Sequence, residues 1–572
     1  MVLVRAFVLL IVVGLTCQNV FLHFSKQTLQ RKYENLRKNL AMKVTSSSHE
    51  QNRRVDEQQL FNGSNVGTEW DVITEVDNKL GIVPWPTIAK IKKKNLLSPC
   101  NVLKKPSAIT LTITGETALQ NQKYLFSGVT DAAREVFNIV ATGTNYNISV
   151  CVRVKDNGVN TPNEHVNEQY ELEWLPSFHD KRCNLHIRAA TIVGAIWGLR
   201  TAAQLFAWPL SGAVCGIWIK DIPRYGHRGV MLDPARHFIP VSILKTVINA
   251  MALVKLNVLH LHLSDDQGFA FASNKLPCFQ SAGTTGGQYT VNDMKAIVEF
   301  ATYRGVRIIP EIDVPGHAAS WRHCNPTFIS KCPVYVKRNS EWGIPLNFTN
   351  EQALNAVEIL IEEMYDIFPD KRIHLGGDEV AHRCWEEHEH LDAFLAKYKL
   401  KNSKAVGGKL MQRFMAKAQS LGKSVIVWQE VFDDFVFRPR DDVIPQVWIS
   451  KFAFTDHLKK GYHALLSWGW YLNENAETSC RQWADCLAIE PTKDPTNYKK
   501  LSNHDKLRID GGECALWETK FSDVKRLLWP RAAAVSERLW STESTYSPNN
   551  FKTRLSILMN TMTKAGWTNS SI

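Results

Sequence analysis

The stretch Arg372-Ile-His-Leu-Gly-Gly-Asp-Glu-Val380 decides how this chain reads. A short apolar, β-rich run enters two glycines, which let the backbone turn sharply and leave the turn uncrowded. Two adjacent carboxylates, Asp378 and Glu379, follow at once. Acids at neighbouring positions repel, so one of the two is expected to be shifted toward its protonated form. A carboxyl that keeps its proton near neutral pH is a general acid. Taken alone, the pair equally fits a helix N-terminus, where the dipole favours acids.

Outward from this stretch the same pattern recurs. Short apolar runs occupy 228–233, 257–265, 307–313, 372–377, 424–429, 446–449, 463–468 and 513–517, with helix-length segments between most of them. Eight β-then-α units over residues 223–572 predict an α/β fold with a (β/α)8 TIM barrel. Nearly every run ends in polar or aromatic residues: Asp233, Asp265, Asp313, Asp378-Glu379, Gln429-Glu430, Trp448, Tyr471 and Glu518. Barrel enzymes build their sites at the carboxyl ends of the strands, so these side chains are expected to converge.

Before the barrel, alternating segments such as 108–114 and 148–154 and the helix-like run 194–206 read as a smaller α/β domain, 81–222. Residues 25–80 are polar and charged and read as a stalk or linker. Residues 1–24 carry Arg5 and an apolar run from Ala6 to Leu15, then a second at Val20 to Phe24. They read as a signal peptide or a signal anchor, and either implies export. Asn-X-Ser/Thr sites at Asn62, Asn147, Asn347 and Asn569 are compatible with glycosylation there. Twelve cysteines suit disulfides, with Cys324 or Cys332 to Cys384, Cys480 to Cys486, and Cys151 to Cys183 as candidate pairs.

Composition excludes other classes. Hydrophobic content of 44% with 18 Trp and 25 Phe rules out a mostly disordered chain. The net charge of +12 is thinly spread and accompanied by no nucleic-acid-binding motif, so nucleic acid is not an expected partner. No Cys-X-X-Cys pair occurs, and no metal or other cofactor is expected.

Individual residues carry alternatives. Arg236 offers a rigid fork of donors suited to paired sugar hydroxyls, or to a salt bridge with Asp233. His260 and His262 share one strand face and read as buried, hydrogen-bonded histidines, since no third metal ligand is evident. His317, after Glu311-Ile-Asp313-Val-Pro-Gly, would orient a carboxylate or satisfy a loop carbonyl.

The order Asp-Pro-Ala-Arg236, His-Leu-Ser-Asp265-Asp-Gln, Asp313-Val-Pro-Gly-His317, His-Leu-Gly-Gly-Asp378-Glu379-Val and Trp-Pro-Arg-Ala-Ala-Ala-Val-Ser-Glu-Arg-Leu-Trp540 resembles the β-N-acetylhexosaminidases of glycoside hydrolase family 20. The resemblance covers about residues 80–560, with a weaker likeness to the insect fused-lobes subgroup. It implies an α/β domain followed by a catalytic barrel, and removal of terminal N-acetylglucosamine or N-acetylgalactosamine from N-glycans or chitooligosaccharides. Neighbouring acids are poorly placed to flank a sugar from ~5 Å apart, as ordinary retaining glycosidases require. In the family the substrate's own 2-acetamido oxygen is the nucleophile. Glu379 would then protonate the leaving oxygen, and Asp378 would orient the acetamido N–H. Tyr471 would bond the acetamido oxygen, while Trp428, Trp448 and Trp517 wall the pocket. Asp313 and His317 would support the acid, Arg236 would hold hydroxyls, and Asp265 would join the supporting network. The resemblance also raises a homodimer.

Three positions depart from the family pattern. Tyr471-Leu-Asn473 replaces Tyr-Leu-Asp, Trp517-Glu518-Thr519 replaces Trp-Gly-Glu, and Leu261 stands where Trp is usual. Asn473 and Glu518 would contact sugar hydroxyls, Asn473 without charge assistance and Glu518 one residue early. The competing reading is a non-catalytic or weakly active glycan-binding protein.

Overall fold

The structure, a computed structural model, describes residues 71–73, 82–93, 108–115, 130, 133–135, 147–155, 162–174, 184–207 and 214–570, apart from 285, 334–341, 474–478, 495–500 and 544–546. Strands β1 (Asp71–Ile73), β2 (Ile88–Lys93), β3 (Ala108–Gly115), β4 (Asn147–Val154), β5 (Tyr170–Trp174), β6 (Leu185–Ala189) and β7 (Val214–Asp221) form one seven-stranded sheet in the order β1-β2-β7-β5-β6-β4-β3. β1 lies inside the range read as linker and pairs antiparallel with β2. The signal segment and the rest of the linker fall outside the described residues, and so does Cys183. Among the described residues no helix is long and apolar enough to cross a membrane.

The second sheet closes on itself. Strands β8 (His227–Leu232), β9 (Val258–His262), β10 (Arg307–Glu311), β11 (Arg372–His374), β12 (Ser424–Trp428), β13 (Ile444–Val447), β14 (Ala464–Leu466) and β15 (Ile509–Leu516) form the closed barrel. Each pairs in parallel with its neighbour, and β15 meets β8 from Gly511↔His227 to Leu516↔Leu232. All eight expected runs are strands, though each ends one to three residues early. β11 stops at His374 because Gly376 and Gly377 adopt φ of 63° and 105°.

The barrel interior has two unlike layers. Val258, Ile309, Ile426, Ile444 and Leu465 form one apolar cluster. Two residues further along the same strands, on the same inward face, come His260, Glu311, Trp428, Gln446 and Ser467. His374 and Glu513 join this polar layer from β11 and β15. Gly229 makes room for it, since a Cβ there would stand 2.4 Å from the Glu513 side chain.

The helix Ile192–Ala207 is buried on nearly every side, in keeping with a sequence that is apolar apart from Arg200, Thr201 and Gln204. It packs on β5 and β6 and against the barrel helix Val241–Leu253. Buried ion pairs fix the sheet against the barrel: Arg228 with Glu168 at 2.6 Å, and Lys255 with Asp221 at 2.7 Å. The end of the chain joins this seam. Glu537 accepts from the Trp85 N–H (3.0 Å), Trp540 donates to Asp221 (2.9 Å), and Arg554 donates to the Ile82 carbonyl (2.6 Å).

Disulfides join Cys332 to Cys384 and Cys480 to Cys486, as expected. Cys324 pairs with Cys278, because the short helices Pro277–Ala282 and Ala319–His323 pack side by side. Cys151 is also disulfide-bonded.

Candidate active site

Asp378 and Glu379 leave β11 in different directions. Glu379 has φ of 46°, a left-handed conformation rare for a residue with a side chain and frequent at functional sites. The turn keeps Asp378 buried and leaves Glu379 about one-third exposed. Asp313 lies beneath the turn, with Oδ1 accepting from the Gly377 N–H at 2.9 Å. A Cβ at Gly376 would fall 1.8 Å from that oxygen, so the first glycine of the pair is a steric necessity. Burial and mutual repulsion push Asp313 well above the ordinary carboxylate range, and burial pushes Asp378 up to about 6. Asp313 Oδ2 and Asp378 Oδ1 are both buried without a partner. Asp313 therefore supports Asp378, not Glu379 as the sequence suggested.

Glu379 belongs to a second string. Its Oε2 accepts from the Trp342 indole N–H at 2.8 Å and lies 3.6 Å from His317 Nε2. His317 Nδ1 bonds Asp265 Oδ1 at 3.1 Å and lies 3.4 Å from Asp266. Burial opposes charge on His317, but Asp265, Asp266 and Glu379 outweigh it and hold its pKa well above the usual value. Burial raises Glu379, yet the His317 imidazolium and the Trp342 donor leave it below the ordinary range. Of the adjacent pair it is thus Asp378 that is shifted toward its protonated form, and not Glu379, which the resemblance assigned as the acid.

Aromatic rings line the same end of the barrel. Trp448 and Tyr471 lie nearly parallel (9°) with centroids 5.9 Å apart, and Trp517 stands 6.3 Å from Tyr471. Trp448 and Trp517 are half-buried, while Trp428 is fully buried behind them, 5.7 Å from Trp517. Burial and nearby Asp378 keep the Tyr471 hydroxyl protonated, hence a donor. Glu430 accepts from the Trp448 indole at 3.0 Å, and burial beside Asp378 raises its pKa well above normal.

The expected hydroxyl contacts are placed differently. Arg236 bonds Asp233 (3.2 Å), Asp265 (2.7 Å) and Gln267 (3.1 Å), and its guanidinium lies over the rings of Trp517 and Trp342. The salt-bridge alternative holds, and three of its five N–H groups are spoken for. Asn473 donates to the Trp517 carbonyl at 2.7 Å and accepts its N–H at 3.2 Å. Its amide therefore acts as a local clamp on Trp517, where a carboxylate could have accepted but not donated. Glu518 has φ of 49°, donates its N–H to Asp233 at 3.0 Å, and adds negative charge near Arg236. Thr519 is buried, with its hydroxyl on the Trp517 carbonyl.

This constellation invites comparison with known proteins. Residues 225–543 match the glycosyl hydrolase family 20 catalytic domain. A β-hexosaminidase subunit beta of Felis catus is 36% identical over 393 residues, covering 66% of this chain and 72% of that relative. A subunit alpha of Mus musculus is 34% identical over 402 residues, covering 67% and 72%. A Flavobacterium johnsoniae chitobiase structure matches with a TM-score of 0.71 at 25% identity, over 86% of this chain and 73% of that one. The chain belongs to glycosyl hydrolase family 20. It is a glycosidase of the β-N-acetylhexosaminidase type.

For this family 20 enzyme the sequence brought Asp378, Glu379, His317, Asp313, Asp265, Arg236 and the aromatic wall to one end of the barrel. It missed Trp342, a Trp outside any recognisable motif, and Asp266, which accepts the N–H groups of Ala319 and Gly343. Glu430 was visible only as a polar strand end. Asp265, Asp266 and His317 approach closely enough to hold a cation, but a proton already bridges Asp265 and His317.

Proposed function

We propose that this glycosidase is exo-acting, removing terminal β-linked N-acetylglucosamine or N-acetylgalactosamine from N-glycans or chitooligosaccharides with the substrate's acetamido group as nucleophile. The observation that carries the reading is the unequal environment of two adjacent acids. Asp378, buried on Asp313 with a free Oδ1, suits the acetamido N–H. Positive charge developing on an oxazolinium ring beside it favours its ionised form. Glu379, at the accessible side, suits the leaving glycosidic oxygen and then the attacking water. A sugar covering Glu379 strips its water and raises its pKa toward that of an acid. Tyr471, a protonated phenol, donates to the acetamido oxygen and orients it for attack. Trp448 and Trp517 offer apolar faces to the ring and methyl group. Glu518 and the remaining N–H groups of Arg236 supply hydroxyl recognition, a task for which Asn473 is not free.

Cleavage of a chromogenic N-acetylglucosaminide, compared with the corresponding glucoside, tests this reading. Acetamido participation demands cleavage of the first and essentially none of the second. The engagement of Asn473 and Arg236 favours a second reading, a weakly active glycan binder. That reading prevails if the purified protein binds N-glycans but leaves the chromogenic substrate intact from pH 4 to 8. We further infer an exported enzyme, and a homodimer in keeping with relatives named as subunits. Relative activity on a branched N-glycan and a chitin trisaccharide assigns the natural substrate.

A further inference from the structure

At the centre of the barrel the Glu311 carboxylate accepts from two donors, His262 Nδ1 at 2.7 Å and the Trp428 indole N–H at 2.8 Å, and His260 Nε2 lies 2.9 Å away. All four side chains are fully buried. In one direction the contacts reach the catalytic end. His262 Nε2 bonds Asp265 Oδ2 at 2.7 Å, and Asp265 passes through His317 to Glu379. In the other direction His260 Nδ1 meets Glu513 at 3.0 Å, and Glu513 meets His227 at 2.6 Å.

Geometry fixes the protons along this line. An imidazole with carboxylate oxygens at bonding distance from both nitrogens must donate from both. His262 is therefore an imidazolium, and Glu311 with Asp265 keeps its pKa well above normal against the opposing effect of burial. His227 accepts at Nδ1 from Arg372 (3.3 Å) and is neutral, so the charged string ends at Glu513. The remaining groups facing Glu311 are His374 of β11, whose Nδ1 accepts the Gly376 N–H, and Asp313 with Asp378 above.

We propose that Glu311 is a positioning residue that couples the Trp428 wall to the acid, setting through His262, Asp265 and His317 the pH at which Glu379 surrenders its proton. The inference rests on the reading of Glu379 as that acid. Neither the strand patterning nor the sugar contacts require a carboxylate here. A buried glutamine would satisfy the same ring and indole positions without charge.

Glu311→Gln tests it, because the amide can donate to His262 Nδ1 while His262 Nε2–H stays on Asp265. The bonds persist and His262 becomes neutral. The lost positive charge is linked through Asp265 and His317 to Glu379, whereas the lost carboxylate acts on Asp378. The basic limb of kcat on a chromogenic N-acetylglucosaminide should move up by roughly 0.5–1 pH unit, with kcat lower. A folded variant whose profile is only scaled down overturns the proposal. Should Glu311→Gln fail to fold, Trp428→Phe removes one donor from Glu311, leaves its carboxylate a stronger acceptor for the His262 imidazolium, and should shift the limb the opposite way by less. A change in KM alone there overturns the proposal equally. If wild-type protein is inactive, the functional reading falls. The coupling is then read from the low-field imidazolium proton resonances: loss of the His262 Nδ1 proton in Glu311→Gln supports it, and an unchanged set overturns it.

Discussion

Two layers of the barrel interior, one turn of pleat apart, solve opposite problems with the same strands. The Val258, Ile309, Ile426, Ile444 and Leu465 layer is apolar and interlocked, and its free energy comes from removing hydrocarbon from water. The layer above replaces hydrocarbon with His260, Glu311, His374, Gln446 and Glu513, all buried. Buried ion pairs contribute little net stability over well-packed hydrocarbon, because desolvation offsets their attraction. The upper layer is therefore maintained for what it holds in place, and the lower for holding the barrel closed. Substitutions that separate activity from stability test this division.

The largest effect belongs to the acid. Glu379→Gln should lower kcat by roughly 10²–10⁴, with Asp378→Asn nearly as severe. Thermal unfolding of Glu379→Gln should be close to wild type, since Glu379 is accessible to solvent. A fully active Glu379→Gln enzyme would remove the assigned mechanism.

The mirror-image result is expected one layer down. Ile309→Ala should cost about 2–5 kcal/mol in denaturant unfolding, with KM unchanged in the protein that remains folded. An altered KM would mean that the layers are not separable.

Asp378→Asn sharpens the contrast through pH. The Asp378 pKa of about 6 lies above the unfolded value of about 3.9, so ionisation opposes folding. This cost is absent below about pH 4, grows as pH rises, and is complete above about pH 6. The inactive Asp378→Asn protein should therefore be more stable than wild type at pH 7, by about 1–3 kcal/mol, and no more stable at pH 4. A pH-independent difference in melting temperature would show that the carboxyl does not carry this cost.

The smallest effect concerns the rim. Asn473→Ala removes two hydrogen bonds to the Trp517 backbone, and at ~1 kcal/mol each should raise KM several-fold with little loss of kcat. Asn473→Asp should also loosen Trp517, because a carboxylate cannot donate to its carbonyl. Titration of KM for the monosaccharide glycoside distinguishes this clamp from a direct hydroxyl contact, for which Asp would tighten binding.

The barrel was legible because apolar runs with polar ends are a one-dimensional signal, and each run needed only its own residues to be recognised. The site was legible where a motif carries its own geometry, as in His374 to Glu379. It was not legible where a backbone dihedral decides the outcome. Glu379 and Glu518 both sit at positive φ, which no residue type announces, and at Glu379 that turn splits the acid from its neighbour. Adjacency correctly implied that one acid of the pair is shifted toward its protonated form, but not that it is Asp378, which burial raises first, with Glu311 and Glu379 adding to it. Trp342 and Cys278 found their partners through irregular segments, where periodicity says nothing.

The seam that joins residues 82–85 to Glu537, Trp540 and Arg554 imposes an order of assembly. The seven-stranded sheet is synthesised first, yet the N–H of Trp85 and the carbonyl of Ile82 are matched only by side chains from the last few dozen residues. A nascent chain can shape its sheet and most of its barrel while this joint stays open. Release of the final helices acts as the clasp. A chain stopped short of Glu537 would keep every proposed catalytic residue and the Arg228–Glu168 and Lys255–Asp221 pairs, yet leave Trp85 and Ile82 without their partners.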